Sequence, residues 1–155
     1  MSQLKKSDFY YGAVLSTLLN NEICPALIEG GTDRQVYDFT TDHKDFRLFL
    51  KFVSAPIKTQ TTDYRSWQFV FSPSDISELN KYMKLDKGLS VGLICGEKTL
   101  TQSQYAVLDK EVISQIFQMQ KDSVTISIKK GERFFRLFIG GGRDNAIRIK
   151  RNRLY

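Results

Sequence analysis

Cysteine is scarce in this chain. The 155 residues hold two, Cys24 and Cys95, too few for a disulfide framework and without metal-ligand spacing. Cys95 lies in the apolar run VGLICG and reads as a buried small hydrophobe. Histidine is scarcer still: His43 stands alone in the hydrophilic turn TTDHKD, which leaves a histidine-based metal centre without a second imidazole. No apolar stretch approaches the ~18 residues needed to span a bilayer, so no membrane partner is expected. The start, MSQLKKSDFYY, carries two lysines but no apolar core or small-residue cleavage site after them, and does not read as a secretory signal. There is no internal repeat, no low-complexity tract and no Pro/Gly/Ser-rich linker. The expectation from these absences is one globular domain over residues 1–155, cytoplasmic and reduced, long enough for a sizeable core.

The composition is that of a globular protein, 41% hydrophobic and 26% charged. Its formal charge of +6 is unevenly placed. Residues 1–120 hold 13 basic and 14 acidic side chains, whereas residues 121–155 hold 10 and 3. The whole positive excess therefore falls in the last 35 residues. Such asymmetry points to a polyanionic partner, nucleic acid first. Its bland counterpart is a solvated sheet face kept from aggregating by charge.

Periodicity outlines the elements. SDFYYGAVLSTLLNN reads as a helix capped by Ser7, with Tyr10, Val14 and Leu18 on one stripe. RQVYDFTT and FRLFLKFVS read as strands joined through TTDHKD, and WQFVF as a further short strand with Trp67 in the core. SPSDISELNKYMKL has a well-marked helix start: Ser72 as N-cap, Pro73 at N1 and Asp75 at N3, with Ile76, Leu79, Tyr82 and Met83 facing inward. LSVGLICG looks like a central strand covered on both faces. SQYAVL is another strand, DKEVISQIFQMQ a helix capped by Asp109, and SVTISIKKGERFFRLFI a hairpin turning at Lys130-Gly131, followed by a last strand in NAIRIKR. The outline predicts an α+β domain, its sheet mixed or mainly antiparallel, with about three helices packed on it.

Alternation sorts the basic segment into two faces. Val124, Ile126, Ile128, Phe135, Leu137, Ile139, Ile147 and Ile149 fall on the core side. Lys129, Phe134, Arg136, Phe138, Arg148 and Lys150 fall on the other. Cations that hold phosphates, set among aromatics that stack bases, are what a sheet binding single strands requires. The competing expectation, the stronger one, has Val112, Ile116 and Phe117 of the preceding helix covering Phe134 and Phe138 as core. The glycine run 140–142 reads as a turn, since no helix with Lys-Ser/Thr follows to make a phosphate loop. The last strand then serves as an edge whose outward side chains meet phosphate. Lys129, Lys130, Arg133, Arg136, Arg143, Arg148, Lys150, Arg151 and Arg153 are the candidate phosphate contacts.

A carboxylate chemistry is the other possibility. The order helix, three strands, helix, strand over about residues 7–95 resembles the core of the PD-(D/E)XK nuclease superfamily. The resemblance implies an aspartate on one strand and an acid-x-Lys on the next that bind Mg²⁺ and activate water. Asp38 in VYDF and Lys51 in LFLKF occupy those places, but Phe49 stands where the second acid belongs. Glu29 or Asp45 could supply the missing carboxylate, since Mg²⁺ is held by hard oxygen ligands. With that departure the resemblance implies nucleic-acid association with impaired or absent cleavage. The alternative role for Asp38 is an ion pair across the strands with Arg47 or Lys51.

The leading expectation is thus a nucleic-acid-associated protein that grips phosphate through its basic C-terminal sheet, without catalysis or cofactor. The alternative is a protein-binding module or inhibitor docking on an acidic partner. A divergent Mg²⁺-dependent nuclease built on Asp38, Lys51 and Glu29 comes third.

Overall fold

A computed structural model describes residues 3–58, 63–139 and 146–153. Its elements run α1 (Lys6–Asn20), β1 (Ala26–Glu29), β2 (Gln35–Thr40), β3 (Asp45–Val53), β4 (Tyr64–Val70), α2 (Pro73–Met83), β5 (Gly88–Cys95), β6 (Gln104–Leu108), α3 (Lys110–Gln118), β7 (Ser123–Lys129), β8 (Phe134–Phe138) and β9 (Ile147–Lys150). The strands form two sheets, ordered β1-β2-β3-β5-β6 and β4-β7-β8-β9. Every pairing is antiparallel except β3–β5. The fold is α+β, as expected, but with two sheets in place of one.

β5 is buried along its whole length, because both faces of the first sheet are covered. On one face α1 sets Tyr10, Tyr11, Val14 and Leu18 against Tyr37, Phe39, Leu48, Leu50 and Ile94. On the other, Val36, Phe49, Leu89, Val91 and Leu93 meet the inner face of the second sheet, where Trp67, Phe69, Val124, Ile126, Phe135 and Leu137 project. α2 and α3 close the sides of this core with Leu79, Tyr82, Ile113 and Ile116. The burial of Trp67, Val124, Ile126, Ile128, Phe135, Leu137 and Ile149 agrees with the alternation in the sequence.

Three differences from the sequence reading have physical causes. The sequence reading assigns no strand to Ala26–Glu29, whose side chains are mostly exposed, so no alternation marks it; it forms because β2 offers an open edge. The WQFVF strand joins the second sheet, since its inward side chains fit β7 in the register Trp67↔Ile126 and Phe69↔Val124. Lys5, not Ser7, occupies the N-cap of α1: its backbone N–H donates to the Asp8 carboxylate at 2.7 Å, and Ser7 is buried inside the helix. α2 and α3 begin as expected, with Ser72 accepting from the Asp75 N–H and Asp109 from the Val112 N–H.

Two seams lock the sheets together. The Trp67 indole N–H donates to the Gly96 carbonyl at 2.8 Å. Gly96 lies so close to β3 that a Cβ there would stand 2.6 Å from the Val53 carbonyl oxygen. At the other edge, Arg151 bridges to Ala106, and Asn152 holds Tyr105 through three hydrogen bonds. No helix among the described residues is long and apolar enough to cross a membrane.

Candidate functional site

The second sheet has one face packed on the core and one facing outward. Among the described residues the helices go elsewhere: α1 packs on the far face of the first sheet, and α2 and α3 turn their apolar side chains into the core between the sheets. Phe134 and Phe138 are therefore half-exposed, which overturns the expectation that α3 buries them. Val112, Ile116 and Phe117 go to the inner core. The outward face carries rows of side chains in register, Ser66–Ser127–Arg136–Arg148 across all four strands and Gln68–Thr125–Phe138 across three. Beside them lie Tyr64 opposite Lys129 and Phe134 opposite Lys150.

Cations and aromatics interleave on this face. The Arg148 guanidinium lies 4.7 Å from the Phe134 ring centre and that of Arg136 5.7 Å. The Lys129 ammonium lies 5.7 Å from the Tyr64 ring. A guanidinium over an aromatic ring is held in place while keeping its N–H donors for an anion. Phe134 is thus already covered by cations, so a base arriving there would stack on a guanidinium as readily as on the ring.

The candidate phosphate contacts divide. Lys129, Lys130, Arg133, Arg148, Lys150 and Arg153 are all exposed, and none pairs with a carboxylate among the described residues. Arg136 is half-buried and bound to Glu132 at 3.0 Å. Arg151 is a structural strap: its Nε donates to Gln104 at 2.7 Å and its Nη1 to the Glu132 carbonyl at 3.1 Å. Arg143 and the glycine run 140–142 lie outside the described residues.

The nuclease candidates are not brought together. Asp38 pairs with Arg47 across the β2–β3 hairpin, four residues along β3 from Lys51, or roughly 13 Å at strand rise. Both Asp38 oxygens are taken, by Arg47 at 2.8 and 3.0 Å and by Lys87 at 3.0 Å. These hydrogen bonds from Arg47, with lesser help from Lys87, hold the Asp38 carboxyl below the usual range against its partial burial. Of the two ion pairs weighed for Asp38, the structure forms the one with Arg47.

Lys51 and Glu29 do share a cluster, through two residues that the sequence reading had given no site role. Lys51 Nζ donates to Asp75 at 2.7 Å, and Arg34 donates to the other Asp75 oxygen at 2.8 Å and to both Glu29 oxygens at 2.9 and 3.1 Å. The Asp75 side chain is only 2% exposed and also accepts the Ser72 backbone N–H as part of the α2 capping box. Burial alone would push its carboxyl up, but the bonds from Lys51, Arg34 and Ser72 together outweigh that and hold it low. The cluster is a closed set of two acids and two bases. Asp75, its one deeply buried carboxylate, has its oxygens committed to cations. No group of three or more His, Cys, Asp or Glu suited to a metal ion occurs among the described residues. His43 and Cys24 are exposed and isolated, and burial pushes the Cys95 thiol far up, away from thiolate chemistry.

The lowered Asp75 and Asp38 values have a definite sign in stability. An unfolded aspartate titrates near ~3.9. Each folded carboxyl is lower, so its stabilisation is complete above that value and is lost as pH falls through the folded one. The urea midpoint should be flat from neutral pH to about 5 and fall steeply below about 4. Asp75→Asn should start lower and show a shallower acid limb; an unchanged limb would show that Asp75 carries none of this dependence.

Compared with protein-family models, curated proteins and solved structures, the chain finds no match. The fold and the outward basic face therefore have to speak for themselves.

Proposed function

We propose that this protein binds nucleic acid through the outward face of β4-β7-β8-β9, gripping the phosphate backbone without cleaving it. One observation carries the reading: six exposed arginines and lysines, paired with no carboxylate among the described residues, gather on and around a sheet face away from which all three described helices pack. Here the charge is nearly all positive, and half-exposed Tyr64, Phe134 and Phe138 lie among the cations. Such a surface favours single strands, whose bases are free to stack, over a rigid duplex. Backbone contacts give affinity and register rather than sequence choice.

The resemblance to PD-(D/E)XK nucleases fits this reading in its impaired form. Asp38 and Lys51 stand apart, and the cluster around Lys51 is better suited to holding α2 against β1 and β3 than to holding Mg²⁺. Binding of labelled single-stranded and duplex DNA and RNA, measured by anisotropy from 50 to 200 mM salt, is the test. About six phosphate contacts should cost about 300-fold in affinity over that range on single strands and about 10³-fold on duplex. A parallel Mg²⁺ incubation should leave the substrates intact. No binding at 50 mM salt would overturn the reading in favour of docking on an acidic protein, and Mg²⁺-dependent cleavage would return it to the nuclease class.

A further inference from the structure

β6 and the end of β9 are joined at the Ala106–Arg151 bridge and the adjoining Tyr105–Asn152 hydrogen bonds, and β6 and β9 share no other ladder. Toward the start of α3 the two strands part, and a cavity of about 380 Å³ opens between them, within the size range of small-molecule sites. Val107, Asp109 and Val112 line one side, Arg148, Lys150 and Arg153 the other, and Phe46 and Ser90 are also in its wall. Ser90 is 5% exposed, and its hydroxyl makes no hydrogen bond to another described residue. No buried side-chain nitrogen or oxygen among the described residues lacks a partner, so this unbonded oxygen is one that the cavity still reaches, and it is open to a hydrogen bond with what enters there.

We propose that this cavity binds a nucleoside monophosphate group, either a free nucleotide or the phosphorylated end of a nucleic-acid strand. Arg148, Lys150 and Arg153, paired with no carboxylate among the described residues, supply the charge for a phosphate dianion, and arginines do so with paired N–H donors. The Ser90 hydroxyl donates one further bond. Asp109 argues against a bare phosphate. It is anchored at the start of α3 by the Val112 N–H and puts a negative charge into the same wall. A ligand that satisfies it must bring N–H or O–H donors together with its anion, as a sugar or base does. Phe46, Val107 and Val112 offer the apolar surface that a nucleoside body covers. The cavity is distinct from the outward sheet face, although Arg148, Lys150 and Arg153 serve both.

The test is calorimetric titration of the full chain with adenosine and uridine 5′-monophosphates, the matching nucleosides, and inorganic phosphate. The monophosphates should bind saturably, with nucleosides and phosphate each weaker by about tenfold or more. Ser90→Val, which narrows the cavity and removes the donor, and exposed Arg153→Gln should each weaken the monophosphates by about tenfold. Nucleosides or inorganic phosphate binding as tightly as the monophosphates would overturn the proposal. So would wild-type affinity for them in both variants. A 5′-phosphorylated hexanucleotide compared with its 5′-hydroxyl form separates the two sources. A gain from the terminal phosphate that Ser90→Val abolishes assigns the cavity to strand ends, and binding of monophosphates without such a gain assigns it to free nucleotides. Neither free binding nor a gain overturns it. Ser90→Val should leave the salt-sensitive binding of the 5′-hydroxyl strand unchanged, so failure of the cavity and failure of the sheet face read out separately.

Discussion

Asp75→Ala should lower the unfolding free energy by about 3–5 kcal/mol, the cost of leaving a buried charge without its counterion. Lys51, only 12% exposed, loses the one carboxylate it pairs with among the described residues, whereas Arg34, 14% exposed, loses Asp75 but keeps Glu29. The same substitution removes one half of the α2 capping box, an end effect worth about 1 kcal/mol. Against a total stability of about 5–15 kcal/mol for such a domain, the loss is a large fraction. Urea unfolding followed by Trp67 fluorescence would measure it, since Trp67 is buried in the core. Adding Lys51→Met to Asp75→Ala should recover part of the loss, because the orphaned ammonium is then gone. A loss below about 1 kcal/mol would mean that the cluster is solvated and mechanically idle.

Lys129→Glu, Arg148→Glu and Lys150→Glu combined should nearly abolish nucleic-acid binding while leaving the fold intact. All three are exposed, and none pairs with an acid among the described residues, so their reversal removes no described contact beyond two cation–ring approaches. Each phosphate contact contributes about 0.7 to the slope of log affinity against log salt on single strands and about 0.9 on duplex. Losing three should flatten that slope by about two to three and lower affinity by a hundredfold or more at 50 mM salt. The same reversals at Lys5, Lys6 and Lys81, exposed cations on α1 and α2, should change little. Equal effects from the two triplets would show that net charge, not the sheet face, drives the association.

How much of this was legible in the sequence depends on which signal each part rests on. Strand alternation is local, so the two faces of β7, β8 and β9 could be read directly, down to Phe134 and Phe138 on the outward side. What covers a face is not local. The sequence places an amphipathic helix just before the basic hairpin, but its apolar side fits the first sheet's β5 and β6, and nothing in residues 109–120 says which sheet they meet. β1 was invisible for the opposite reason: an exposed edge strand has no pattern to betray it. The ion cluster shows a similar limit. Asp75 carried a clear signal as a helix N3 residue, and Arg34 none at all; their meeting with Lys51 and Glu29 depends on α2 landing beside β1 and β3. The Asp38–Lys51 pairing failed on arithmetic that hairpin registration supplies, since Arg47, not Lys51, lies opposite Asp38. The cavity between β6 and β9 could not be foreseen, because it exists only where two strands distant in sequence stop pairing.

β4 is encoded between β3 and α2, yet it completes a sheet whose other strands begin more than fifty residues later. Until β7 exists, Trp67 and Phe69 have no strand to pair with, and the first sheet's inner face has no lid. The two sheets are therefore interleaved along the chain, and neither half can be assembled ahead of the other. Contacts of such long sequence separation delay the reward for closing each loop, which slows folding. Folding of this kind should be all-or-none, with β4 waiting as an apolar, unpaired ribbon until the second sheet reaches it. A cut between β5 and β6 would yield two fragments that each display the other's missing interior.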